Sequence, residues 1–387
     1  MKSGSELDDA GSLIPVKVHL AICHEYIHDK DAIGRDILGM SKVLVSLGFK
    51  VTAVGNSIES FLHEVVDECL HVEDFSRSKF DALIYHHSTF WEAGEMILKK
   101  FTGPLLIRYH NVTPSFFFSN HSSRLEEQCL KGVQQTKRLA KNYSNAYWAS
   151  DSKFNKEELV GLGVLDDRIQ VVAPFNNTNF VPLSEKSLDK YERIPLRVIF
   201  VGRIAPNKRI DSLLRVVAFY IKEFDNQIIL DLVGNQHPEM ISYFDELQIL
   251  AADLQIEEFV NWHGLLPDQG LDNLYRQADV FLCMSEHEGF CVPLIEAQSI
   301  GLPVVACDAG AISETLGEEQ IVSQSPLTDE DYLLYAHLLN EVTTNEELRN
   351  KLKEQGFRNY MERFSKERIA DSFVESLEPV LRQIIYR

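Results

Sequence analysis

The sequence has no apolar run long enough to cross a bilayer. Its longest, at 198–201 and 280–284, fall far short of the roughly 20 residues a spanning helix needs. The first residues, MKSGSELDDAGSLIP, lack the basic start and apolar centre of a secretion signal, so export is not expected. Basic side chains are outnumbered 38 to 58, and a formal net charge of −20 argues against nucleic acid as a partner, because a phosphate polymer would be repelled at long range. Six cysteines, at 23, 69, 129, 283, 291 and 307, show no paired metal spacing. They predict reduced, mostly buried thiols and a cytoplasmic location. No Gly-x-Ser-x-Gly nucleophile motif and no glycine-rich dinucleotide fingerprint occurs. The two Asp-x-Asp triplets, at 29–31 and 329–331, lack the setting of a metal site, and the second opens a predicted helix where acids suit the dipole. No metal and no cofactor is expected.

What is present is a soluble globular chain. Its 387 residues, 45% hydrophobic and 25% charged, suit two domains of roughly 150 to 200 residues each. After a polar lead at 1–15, expected to be irregular, apolar runs at 16–23, 51–54, 82–85, 105–109 and 169–172 read as buried strands. Helical spacing fills 33–47, 58–69, 91–101 and 122–143, and Asn155 with Glu158 suggests a helix start before Leu159. Such alternation predicts an α/β fold with a parallel sheet wrapped by helices. The polar stretch 176–195 reads as a linker, after which the pattern restarts with strands at 196–201, 228–233, 260–264 and 280–284. Helices are expected at 212–224, 238–254, 271–277, 329–342, 346–364 and 367–385, the last apolar along one face.

Ligands of open parallel sheets bind beyond the carboxyl ends of strands, so the loops 24–35, 86–90 and 110–114 are candidates, with His110 directly at a strand end. Phe116, Phe117 and Phe118 read as core or as an apolar lip. The helix carrying Lys131, Lys137, Arg138 and Lys141 could touch an anionic membrane peripherally, but Glu126 and Glu127 on it favour a solvated face.

The densest signal is SEHEGFCVPLIEAQSIGLPVVACDAG, residues 285–310. Gly289 suits a tight turn and Pro293 the first helical position, which would leave the N–H groups of Phe290, Cys291 and Val292 at a helix N-terminus as an anion site. Glu288 and Glu296 bracket it, so a ligand with both phosphates and hydroxyls fits.

Glu288, seven intervening residues and Glu296, followed by Gly301-Leu302-Pro303-Val304-Val305 and Gly310, resemble the donor motif of glycosyltransferase family 4, the group 1 glycosyl transferases. Cys291 stands where members often carry a second glycine. The resemblance implies the GT-B fold, two facing Rossmann-like domains with parallel sheets and an interdomain cleft. The expected division is 1–180 for the acceptor side, 181–365 for the nucleotide sugar, and a terminal helix at 366–387 crossing back. It also implies a retaining hexosyl transfer from a nucleoside diphosphate sugar, GDP-mannose or a UDP-hexose, to a saccharide or lipid-linked acceptor, as in polysaccharide synthesis. By the same resemblance Gly202, Arg203 and Lys208 meet the diphosphate, Glu296 the ribose, and Glu288 and His110 the transferred sugar. His263, Gly264 and Leu265 lie near the base. In the loop after the first strand, usually glycine-rich, only Gly34 can be carried over. Arg209 stands where members often have glycine and is expected to face solvent. A nucleotide-sugar epimerase, a glycoside phosphorylase or a catalytically silent nucleotide-binding subunit could share the fold.

Overall fold

The computed structural model describes residues 5–7, 13–15, 18–176, 195–224, 227–326 and 328–385. The expected linker 176–195, except for its two end residues, and the boundary at 180 lie outside the described residues. In the polar lead, Ser5–Leu7 pairs antiparallel with Leu13–Pro15, so that segment is not wholly irregular.

Two parallel sheets form the frame. The first has seven strands in the spatial order Ile169–Val171, Tyr147–Ser150, Leu105–Tyr109, Ala82–His87, His19–Cys23, Lys50–Gly55 and Glu68–His71. The second has six: Val260–Gly264, Ile228–Val233, Leu196–Val201, Val280–Cys283, Val304–Cys307 and Ile321–Ser323. Helices cover both faces, so the inner strands are buried throughout, and Val280–Cys283 and Val304–Cys307 read as unbroken apolar runs rather than alternating ones. In each sheet the chain enters near the middle, builds outward to one edge, then returns to the other side of its first strand. That reversal leaves a crevice at the strand ends. In the second sheet the crevice lies between Leu196–Val201 and Val280–Cys283, and the loops leaving those strands carry Lys208 and Glu288.

Three local expectations need correction. No α-helix fills 58–69; a short strand, a single turn at Ser60–Leu62 and the edge strand Glu68–His71 stand there instead. Only Leu62 and Val66 in that run are buried, too few to hold a helix against the sheet. The strand Tyr147–Ser150 was not anticipated. The following helix, Lys153–Gly161, starts earlier than expected, with Ser152 as its N-cap accepting from the Asn155 N–H.

The helix Lys366–Ile385 places Ile369, Phe373, Leu377 and Val380 in the same core as Leu20, Ile22 and Leu106 of the first sheet. Their spacing makes one continuous stripe, which ties the end of the chain to its beginning. Further contacts join the halves. Ser122 and Arg124 bond Glu239, and the Glu314 carboxylate accepts from the N–H groups of Lys153 and Phe154 at a helix N-terminus, where a negative charge is favoured. On the helix Ser123–Asn142, Lys131 pairs with Glu127 and Arg138 with Glu95, which consumes half of its candidate membrane-facing cations. Among the described residues no helix is long and apolar enough to cross a membrane.

Candidate functional site

The helix Val292–Ser299 organises the site. Its first residue is Val292, with Pro293 second, one position later than the sequence suggested. Gly289 is needed for room rather than for an unusual backbone angle: a Cβ there would lie 2.8 Å from the Asn111 Cβ. The left-handed residue is Cys291, with φ of 72°, a conformation that disfavours any side chain on its Cβ. Among the described residues the N–H groups of Phe290, Cys291 and Val292 donate no hydrogen bond. They therefore remain available to an anion at the helix N-terminus. Phe290 is anchored beneath by Phe364, and its carbonyl accepts from Thr315.

Glu288 is buried, and its Oε1 lies 2.6 Å from Lys208 Nζ. Burial raises the carboxyl pKa, but the Lys208 ammonium, with hydrogen bonds from Ser285 and Cys291, outweighs it and holds the group below its usual range. Lys208 ends the turn Pro206–Lys208, just beyond the strand Leu196–Val201. Arg203 is exposed, with no ion pair among the described residues. Arg209 does not simply face solvent: it adopts a left-handed backbone and is clamped between Asp211 and Glu286.

Glu296 is also buried, and here burial dominates and raises its pKa; Arg35 and Tyr275 act against the shift. Tyr275 donates to its Oε2 at 2.9 Å, and Arg35 Nη1 stands 4.0 Å from Oε1. Arg35 belongs to the first half of the chain and also bonds Asp268 at 2.8 Å, with Lys30 joining at 3.1 Å. One first-half cation, Arg35, thus stands beside the second carboxylate, and Lys30 joins it on Asp268, where sequence alone pointed only to Gly34. Gly34 serves its own loop: a Cβ would fall 1.9 Å from the His28 carbonyl oxygen.

His110 ends the strand Leu105–Tyr109 inside a charged network. Its Nδ1 is 3.0 Å from Asp151, and its Nε2 is 2.8 Å from His86 Nδ1. Arg108 binds both Asp36, at 3.0 Å, and Asp151, at 2.8 Å. An arginine inside an apolar strand must be paired, and Arg108 in LLIRY is the signal that could have led to Asp36 and Asp151. Burial lowers the pKa of His86 well below the usual imidazole value, and the neighbouring His110 and His24 add to the effect. Next in the chain, Asn111 has φ of 68°, donates to Asn155 and Glu158, and accepts from His287 at 2.8 Å. Ser152 Oγ donates to the Gly289 carbonyl at 2.7 Å. The His110 strand end and the Glu288 loop are therefore in direct contact across the two halves. Phe116 is 65% exposed and Phe118 buried, so the aromatic triplet is part core and part lip.

His263, Gly264 and Leu265 lie at the neighbouring strand end. His263 Nε2 is 2.8 Å from Asp231, Gly264 has φ of 62°, and Leu265 is exposed. Gly202 donates to the Val233 carbonyl, and its own carbonyl packs against Gly234.

Residues 186–359 match the family described as glycosyl transferases group 1. A D-inositol 3-phosphate glycosyltransferase of Corynebacterium kroppenstedtii is 32% identical over 160 residues, covering 39% of this chain and 36% of the relative. The O-antigen chain mannosyltransferase B of Escherichia coli is 27% identical over 197 residues, covering 49% and 50%. The match thus spans about a third to half the length of these curated relatives. Among solved structures, HepE of Anabaena in complex with UDP and glucose superposes with a TM-score of 0.70 at 16% identity, covering 94% of this chain and 100% of that one. Sucrose-phosphate synthase from Thermosynechococcus elongatus gives 0.74 at 15%, covering 95% and 100%. At these identities the likeness establishes the fold, that of the GT-B glycosyltransferases.

Proposed function

We propose that this chain, whose residues 186–359 match the group 1 glycosyl transferases, moves a hexosyl group from a nucleoside diphosphate sugar to a hydroxyl of a saccharide or lipid-linked acceptor, with retention. The observation that carries this reading is the placement of two buried carboxylates around one open helix N-terminus, Glu288 on Lys208 and Glu296 beside Arg35. The N–H groups of Phe290 to Val292 and the cations Arg203 and Lys208 receive the diphosphate, whose charge grows as it leaves. Glu296 takes the ribose hydroxyls and Glu288 those of the sugar. His110, fixed by Asp151, faces the sugar and the acceptor. The acceptor oxygen bonds to the anomeric carbon on the face from which the phosphate departs, and the departing phosphate oxygen takes the acceptor proton.

The donor is GDP-mannose or a UDP-hexose, in line with the mannosyltransferase relative and with the UDP-bound structural neighbour. No catalytic metal takes part, so chelator added to the active enzyme should leave the rate unchanged, and its abolition would refute the metal-free route. The chemistry suits an enzyme of the cytoplasm. Glu296→Ala should weaken donor binding by about 10- to 100-fold, the worth of hydrogen bonds to a charged group. Unaltered affinity in calorimetry would remove Glu296 from the ribose. The reading as a whole is tested by incubating the protein with each donor and a panel of acceptors. A new glycoside with the donor's anomeric configuration supports it. Release of a sugar phosphate, or an epimerised donor, would assign a different reaction.

A further inference from the structure

We infer that Cys283, Cys291 and Glu288 form a binding site for a soft divalent cation such as zinc or cadmium, placed so that the bound metal blocks the donor loop. Its binding part stands on geometry, and its inhibitory consequence rests on the donor role proposed for Glu288. Cys283 ends the strand Val280–Cys283 and is fully buried. Eight residues later Cys291 caps the helix in its left-handed conformation, partly open to solvent. One ligand atom from each of Cys283, Glu288 and Cys291 lies within 4.8 Å of the other two. Zinc held at roughly 2.3 Å by sulfur and 2.0–2.2 Å by oxygen in a tetrahedron needs ligand atoms about 3.3 to 3.8 Å apart, inside that envelope.

The surroundings favour such a cation. The two sulfurs lie within 4.8 Å of each other, and Cys283 Sγ donates to Ser285 Oγ at 3.5 Å. Lys208 holds Glu288 Oε1 at 2.6 Å. Charge balances as well. Before binding, the site holds the Glu288–Lys208 pair and two neutral thiols; afterwards it holds that pair, two thiolates and one divalent ion, with two protons released to solvent. No net charge is added to a buried place. Cys291 is partly exposed, which gives the cation a side from which to enter. The other compact cluster, Asp36, His86 and His110, offers no thiolate to a soft cation.

The test is a titration of the reduced, metal-free chain with cadmium, followed by the ultraviolet absorption of cadmium–thiolate bonds. One tight equivalent with the absorption of two thiolates is expected, displaced by zinc. Cys283→Ser and Cys291→Ser should each halve that absorption and weaken binding at least about 10-fold, since each removes one thiolate ligand. Cys129→Ser, which removes none of the three ligands, should bind as the parent does. If Cys283→Ser does not fold, Cys291→Ser at its partly open position still decides. No thiolate absorption in the parent, or absorption that persists in both variants, overturns the site. UDP-glucose or GDP-mannose should raise the apparent cadmium dissociation constant. Thiolate absorption assigned to this pair but indifferent to both nucleotide sugars would leave the metal site standing, overturn the blocking claim, and count against the donor role of Glu288.

Discussion

Lys208→Ala should lower kcat/KM by about 100-fold or more, the loss seen when one preorganised donor to a developing oxyanion is removed. Lys208 has two tasks, and their signatures differ. In the resting protein it neutralises a buried carboxylate at 2.6 Å. Without it Glu288 either takes up a proton or remains as an unpaired buried charge, a defect worth roughly 3 to 5 kcal/mol of stability. In the proposed reaction the same ammonium meets the departing diphosphate, so kcat should fall together with kcat/KM while donor dissociation changes less. A variant that melts early yet turns over at the parent rate would confine Lys208 to a structural role. Lys208→Arg is not a conservative rescue, because a planar guanidinium cannot replace a compact ammonium against one carboxylate oxygen. It should recover stability better than rate.

The second large effect expected is loss of stability in mild acid, from histidines buried along the first sheet. Burial lowers His24 to about 4 and His87 to about 3, with nearby His110 contributing repulsion, and His86 is also shifted well down. The sign follows from proton counting. Between the ordinary value of 6.5 and these lower folded values, the unfolded chain binds protons that the folded chain refuses. Stability is therefore full above pH 6.5 and falls as the pH drops through that window. At pH 5, some 1.5 units below the reference, His24 and His87 should each have removed about 2 kcal/mol. Urea unfolding at pH 7.5 and at pH 5 measures it. His87→Gln, which can keep a hydrogen bond to Thr136, should flatten the pH dependence by about one histidine's share. Equal midpoints at the two pH values would contradict the assignment of buried neutral histidines.

The sequence disclosed most of the second half of the site because its parts lie close together in the chain. Glu288, Gly289, Pro293 and Glu296 fall within nine residues, and the turn carrying Lys208 follows a strand with an unambiguous apolar run. The first half contributes residues scattered from Arg35 to Asp151, brought together only by the strand order, so no local pattern announces them. Arg35 closes the loop 24–35 that the strand ends mark as a candidate, but the resemblance carries over only its neighbour Gly34. Asp36 sits beside the apolar positions of that helix, yet it is wholly buried because Arg108 reaches it from the sheet. Edges were also hard to read. Glu68–His71 is only half-buried, so its composition carries no strand signal, whereas inner strands such as Ala82–His87, buried on both faces, were plain.

On the proposed reading, the crevice at the ends of Leu196–Val201 and Val280–Cys283 holds a nucleoside diphosphate sugar. The most direct measurement is a thermal-shift screen of the intact chain against UDP, GDP, ADP and their hexose conjugates, since a ligand bound only by the folded state raises the melting temperature. A selective rise with one nucleotide and its sugar conjugate is predicted, diminished in Glu296→Ala. No rise with any of them at millimolar ligand would contradict the claim.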